Sequence, residues 1–159
     1  MIKDLSLFLN ALGAGNCFLL SYTYLLKKQP KTLKVNQLLS LLFFILGVVI
    51  VNTLVNFTGY SYLFSGFESI SNALTYGIAP LLLLYVRALS AKHIKSTLWS
   101  PHLLPGYAIL LITLISLAFP TTGFGQWGEA LLNNNWAIGL WNLQFAVYLV
   151  LLFMELRSM

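Results

Sequence analysis

From Val35 to Phe57 the chain runs 23 residues without a single charge, and its centre is the stretch LLSLLFFILGVVIV. As a helix rising 1.5 Å per residue it spans roughly 34 Å, enough to cross a hydrocarbon core about 30 Å thick. Composition extends the constraint to the whole chain. Of 159 residues, 58% are hydrophobic and 8% are charged, against about 25% charged in a soluble domain. Thirteen charges cannot cover the surface of a soluble fold of this size. The mean hydropathy of +0.82 agrees. A soluble enzyme, a disordered chain and a secreted disulfide scaffold are all excluded. The lone Cys17 can form no internal disulfide, so the redox compartment is not readable.

Five apolar stretches of this kind are expected: 5–26, 35–57, 70–89, 103–119 and 136–154. They must be helices, because an open sheet edge in lipid leaves backbone groups unpaired and no barrel-type alternation of ten-residue strands occurs. The expectation is therefore an all-α membrane protein, one transmembrane domain over residues 1–159, with the lipid bilayer as its main partner. Pro80 should kink the third helix, since proline removes a backbone donor. Pro105 falls in the first turn of the fourth, where proline costs little. Gly123-Phe124-Gly125 reads as a flexible turn in the fourth connector. The first segment is not expected to be a cleaved signal peptide, because too few residues precede the small-residue run at Ala11.

Orientation follows from the cations. Lys27, Lys28, Lys31 and Lys34 fill the first connector; Arg87, Lys92 and Lys95 lie around the third; Arg157 closes the chain. The second and fourth connectors carry no lysine or arginine, only Glu68 and Glu129. With five crossings, eight of the nine cations fall on one side, and Lys3 is the exception. Positive residues are retained in the cytoplasm, so the N-terminus should be outside and the C-terminus inside. A count of four or six would break this agreement. The lysines of the first connector serve as topology determinants near anionic headgroups; with no interleaved arginines or aromatics they make a weak nucleic-acid signal.

No constellation announces a chemistry. His93 and His102 lack an HExxH context, the four carboxylates form no close pair in sequence, and no GxSxG elbow or phosphate-binding glycine loop is present. The expectation is no enzyme, no metal and no cofactor. What remains is a set of uncharged polar and aromatic residues in the outer half of the spans. Asn52 and Asn56 are four apart and share a helix face. Asn72, Thr75 and Tyr76 follow on the third segment, and Trp136, Trp141 and Asn142 on the fifth. Together they are read as an uncharged pocket for a neutral or weakly polar small molecule; the alternative for each is interhelical hydrogen bonding. Ala11, Gly13, Ala14 and Gly15 would admit a closely packed helix, for which a homodimer is one source.

The segment GIAPLLLLYVRAL, followed by a basic loop and then HLLPGYAILL, resembles the N-terminal membrane region of bacterial AraC-type transcriptional regulators anchored in the inner membrane. The matching residues are Pro80, Tyr85, Val86, Arg87, His102, Leu104 and Pro105, and the ending LQFAVYLVLLFMELRSM is similar to a later helix of that family. Ala79 departs from the glycine more often found before the proline. The resemblance implies a membrane-embedded signal-sensing module in the inner membrane, with Pro80, Tyr85, Arg87 and His102 as the signal relay. It implies DNA contact only through a helix-turn-helix domain that these residues do not include, so the chain would be a fragment or a sensor without its output. A histidine-kinase sensor region and a small permease or transporter subunit are the alternative functions.

Overall fold

The computed structural model describes residues 2–27, 33–64, 66–90, 100–132 and 135–157. Among these residues every regular element is helical. Five stretches are long and apolar enough to cross a membrane: Asp4–Leu26, Lys34–Thr58, Phe67–Leu89, Pro101–Ala118 and Ile138–Arg157. The chain gathers into two compact units, Met1–Ser71 and Asn72–Met159.

The first unit is built on α1 (Ile2–Leu26) and α2 (Leu33–Thr58), which pack as an antiparallel pair. Contacts mark the register from end to end. The Asn36 side-chain amide donates to the Lys27 carbonyl at 3.2 Å, meeting one of the acceptors that a helix C-terminus leaves open. Ser40 Oγ donates to the Ser21 carbonyl at 2.7 Å and lies 3.2 Å from Ser21 Oγ. The Tyr24 and Phe43 rings stack, and Phe18 meets Phe44 edge-on. Gly47 lies under the Phe18 ring: a Cβ there would stand 2.9 Å from it. The glycine is what lets an aromatic ring seat directly on the α2 backbone.

α2 stops at Gly59, whose φ of +79° only glycine adopts without strain. Gly59 N–H donates to the Asn56 carbonyl and Tyr60 N–H to the Val55 carbonyl, the paired bonds of a Schellman cap. A 3-10 turn, Ser61–Phe64, leads to Gly66, again at positive φ, and into α3 (Phe67–Thr75).

The second unit holds the end of α3, α4 (Ile78–Leu89), a 3-10 turn at Pro101–Leu103, α5 (Leu104–Ala118), α6 (Gly123–Leu132) and α7 (Asn135–Arg157). Two expectations change here. The third apolar segment is not one kinked helix but two, α3 and α4, separated by a turn at Tyr76 and Gly77. Pro80 sits, fully buried, in the first turn of α4. Its ring excludes the carbonyl of the residue four before it, Tyr76, and it has no N–H to offer that carbonyl. The break therefore falls one turn ahead of the proline. The second change is at Gly123-Phe124-Gly125, which is the first turn of α6 rather than a flexible turn. Thr122 Oγ1 accepts from Gly125 N–H at 3.1 Å, the bond of an N-cap threonine. α6 packs on α5 with Gly128 against Ser116 and Ile112.

Candidate functional site

In the first unit, a cavity of about 290 Å³ lies where α2 gives way to the 3-10 turn and α3. Asn52 and Asn56 line it together with Ser61, Tyr62, Phe67 and Glu68. Their spacing of one turn on α2 puts both amides on this wall, as the sequence implied. Asn52 is only 9% exposed. Among the described residues, neither amide side chain has a hydrogen-bond partner, and nor does the Glu68 carboxylate. Asn56 and Glu68 are exposed beside Asn52. Reading the wall as uncharged needs correction: Glu68, placed by sequence in a connector, stands on the cavity wall because the positive-φ Gly66 turns the chain back there. Beside it, an apolar groove of about 470 Å³ is lined by Leu7 and Ala11 of α1 and by Leu54, Tyr60, Leu63 and Phe64.

The other pocket candidates belong to the second unit. Asn72 is exposed, and Thr75 Oγ1 donates to its carbonyl at 2.6 Å, so that hydroxyl closes the α3 end locally. Tyr76 takes part through its backbone: its carbonyl, freed by Pro80, accepts from Gln144 Nε2 of α7 at 3.0 Å. Trp141 is half-buried and stacks on Phe145 one turn along its own helix, with 5.6 Å between centroids. Asn142 is exposed. The Trp136 side chain lies outside the described residues. The α7 residue that reaches the helix break is Gln144.

The relay candidates divide in two. Arg87 and His102, 15 residues apart in sequence, are brought into contact: Arg87 Nη1 lies 2.9 Å from His102 Nε2. A guanidinium only donates, so Nε2 must accept, and the imidazole carries its proton on Nδ1. Nδ1 lies 3.4 Å from the Tyr148 hydroxyl, which donates to the His102 carbonyl at 3.0 Å. Arg87 Nε donates to Glu155 Oε2 at 3.0 Å, an ion pair in which Glu155 is 8% exposed and Arg87 31%. α4, the turn before α5, and α7 thus converge on one polar cluster. Pro80 lies two turns before Arg87 on the same face of α4. The Tyr85 hydroxyl has no hydrogen-bond partner among the described residues.

The bonds from the turn before α4 and from α4 itself to α7, Tyr76–Gln144 and Arg87–Glu155, both join residues 68 apart in sequence. Equal separation at two points means that the helices run parallel and in register. Parallel packing is what two spans of odd rank in an alternating series require. Sequence reasoning missed Glu155 and Tyr148 as members of the cluster. The available signal was their seven-residue spacing, which puts them on one face of α7. Among the described residues, no group of three histidine, cysteine or carboxylate side chains is placed to hold a metal ion. Comparison with protein families, with curated proteins and with solved structures finds no match to the chain.

Proposed function

We propose that the chain is the membrane-embedded signal-receiving module of a bacterial transcriptional regulator of the AraC type, seated in the inner membrane with its N-terminus outside and its C-terminus in the cytoplasm. The observation that carries this reading is the contact between Arg87 and His102. The two segments that resemble that family, one ending in Tyr-Val-Arg and one opening on His-Leu-Leu-Pro, meet at that hydrogen bond. The ion pair to Glu155 ties the same point to the last helix, from which an output domain of such a regulator would continue. The cation asymmetry supports the orientation, because it puts the lysine-rich first connector and Arg157 on the cytoplasmic face.

In this role, signal occupancy at the outer end of the first unit favours one helix arrangement over another. A ligand that binds one arrangement more tightly by a few kcal/mol moves the population of the attached domain accordingly. DNA contact belongs to a helix-turn-helix domain outside these residues. The test is transcript profiling of the source cell carrying Arg87→Gln in its own gene, beside a deletion strain. The expected outcome is a small set of altered transcripts shared by the two. A deletion strain with an unaltered profile would overturn the reading.

A further inference from the structure

The α2–α3 cavity of the first unit has a chemistry that the proposed receiving role leaves open. Three observations bear on it. Asn52 is nine-tenths buried, lines the cavity and has no hydrogen-bond partner for its side chain among the described residues. Its amide opens onto the cavity, so a polar group that enters this space can pair with it. Glu68 on the same wall is the only charged residue between Lys34 and Arg87, so no cation of that stretch competes for it. Tyr62, Phe64 and Phe67 supply aromatic surface, which attracts cations through the ring quadrupole.

The α3 N-terminus weighs the other way. It presents roughly half a positive charge, and Glu68 in its first turn offsets that field. Glu68 sets a full negative charge against that half positive one. At about 290 Å³ it lies at the small end of ligand sites, which run from about 300 to 1,000 Å³.

We propose that this cavity binds a small organic ammonium ion that also carries a hydrogen-bonding group: the cation between Glu68 and the aromatic side chains, the polar group on Asn52 and Asn56. The ammonium group is either a free solute or the headgroup of a lipid, and the two share this chemistry. The site names the ligand class for the receiving role proposed above. It is tested without any transcriptional output, so the failure of one is distinguishable from the failure of the other.

The probes are choline chloride and its neutral isostere 3,3-dimethylbutan-1-ol, titrated by ligand-observed NMR against the full chain in phosphatidylglycerol nanodiscs. Choline is expected to bind saturably, with the isostere at least about tenfold weaker. Glu68→Gln should lower choline affinity about tenfold and leave the isostere unchanged. Asn52→Ala should weaken both. Repetition in phosphatidylcholine nanodiscs separates the sources: unchanged choline affinity assigns the site to a free solute, and its loss assigns the site to the headgroup. Equal binding of choline and the isostere, or no saturable choline binding in phosphatidylglycerol, would overturn the proposal. So would a helical Glu68→Gln chain with wild-type affinity. The choline–isostere comparison stands on the wild-type chain alone should that variant fail to fold.

Discussion

The two units handle polar groups in opposite ways. In the second, the polar side chains that bridge helices are consumed by architecture: Gln144 satisfies the carbonyl that Pro80 frees, and Arg87, His102, Tyr148 and Glu155 satisfy one another. In the first, the Ser21–Ser40 pair and Asn36 are consumed in the same manner, but Asn52, Asn56 and Glu68 at the far end of the hairpin are left facing a cavity. Polar residues in an apolar chain are therefore not equivalent. A group with a partner explains its own presence; a group without one on a cavity wall is open to a ligand. The comparison separates polar groups paired across helices in the second unit from polar groups that line an open cavity in the first.

The strongest way to break that division is at the ion pair. Removing one partner of a fully buried pair costs about 3–5 kcal/mol. Arg87 is 31% exposed, so solvent screening reduces the effect. Arg87→Ala is expected to lower the stability of the second unit by about 2 kcal/mol, read as a shifted midpoint in denaturant titration of the reconstituted chain. The double variant Arg87→Glu with Glu155→Arg should recover part of the loss. No loss in either single variant would reduce the cluster to a surface contact.

Next in size is the packing of the first unit. Gly47→Ala forces the Phe18 ring off the α2 backbone, since the new methyl would stand 2.9–3.1 Å from three ring atoms. Overpacking of this kind costs about 1–3 kcal/mol. The ring is the end of a side chain that can rotate, so the expected cost is at the lower end, about 1 kcal/mol. Phe18→Leu in the same chain should remove most of it. Choline affinity should stay unchanged in Gly47→Ala, because the glycine lies more than a turn from Asn52; a large change there would join what the comparison separates.

What the sequence disclosed, and what it hid, follow the same physics. Uncharged length located the five apolar stretches, because crossing a hydrocarbon core sets a minimum that composition alone records. Spacing placed Asn52 and Asn56 on one wall, since helical periodicity is local. It did not place Glu68 there, because that depends on the positive φ of Gly66 and on where the chain turns after Phe64. In the sequence Glu155 only borders the last apolar stretch. It is buried, because its partner Arg87 lies 68 residues away and only tertiary packing brings the two together. Pro80 was read correctly as an interruption, but one turn too late in the chain. Proline exerts its effect on the carbonyl four residues before it, and Gly77, next to that carbonyl, offers the turn.

That displaced break yields the subtlest prediction. The Tyr76 carbonyl accepts from Gln144 because residue 80 has no N–H to offer it. Gln144→Leu removes that donor, and membrane hydrogen bonds of this type are worth about 0.6 kcal/mol on average. The expected loss in the wild-type background is therefore about 0.6 kcal/mol. In a Pro80→Ala background the alanine N–H is able to close the helical bond to Tyr76, joining α3 and α4 through the turn. Gln144→Leu should then cost nothing measurable, and the difference between the two backgrounds gives the coupling directly. Equal costs in both would mean that Gln144 acts through packing, and that the proline and the glutamine are independent features of the second unit. A coupling near the full single-variant loss would identify the break at Tyr76 as a joint held from the opposite helix, where a shift of α7 is felt in α4 without any change at Arg87.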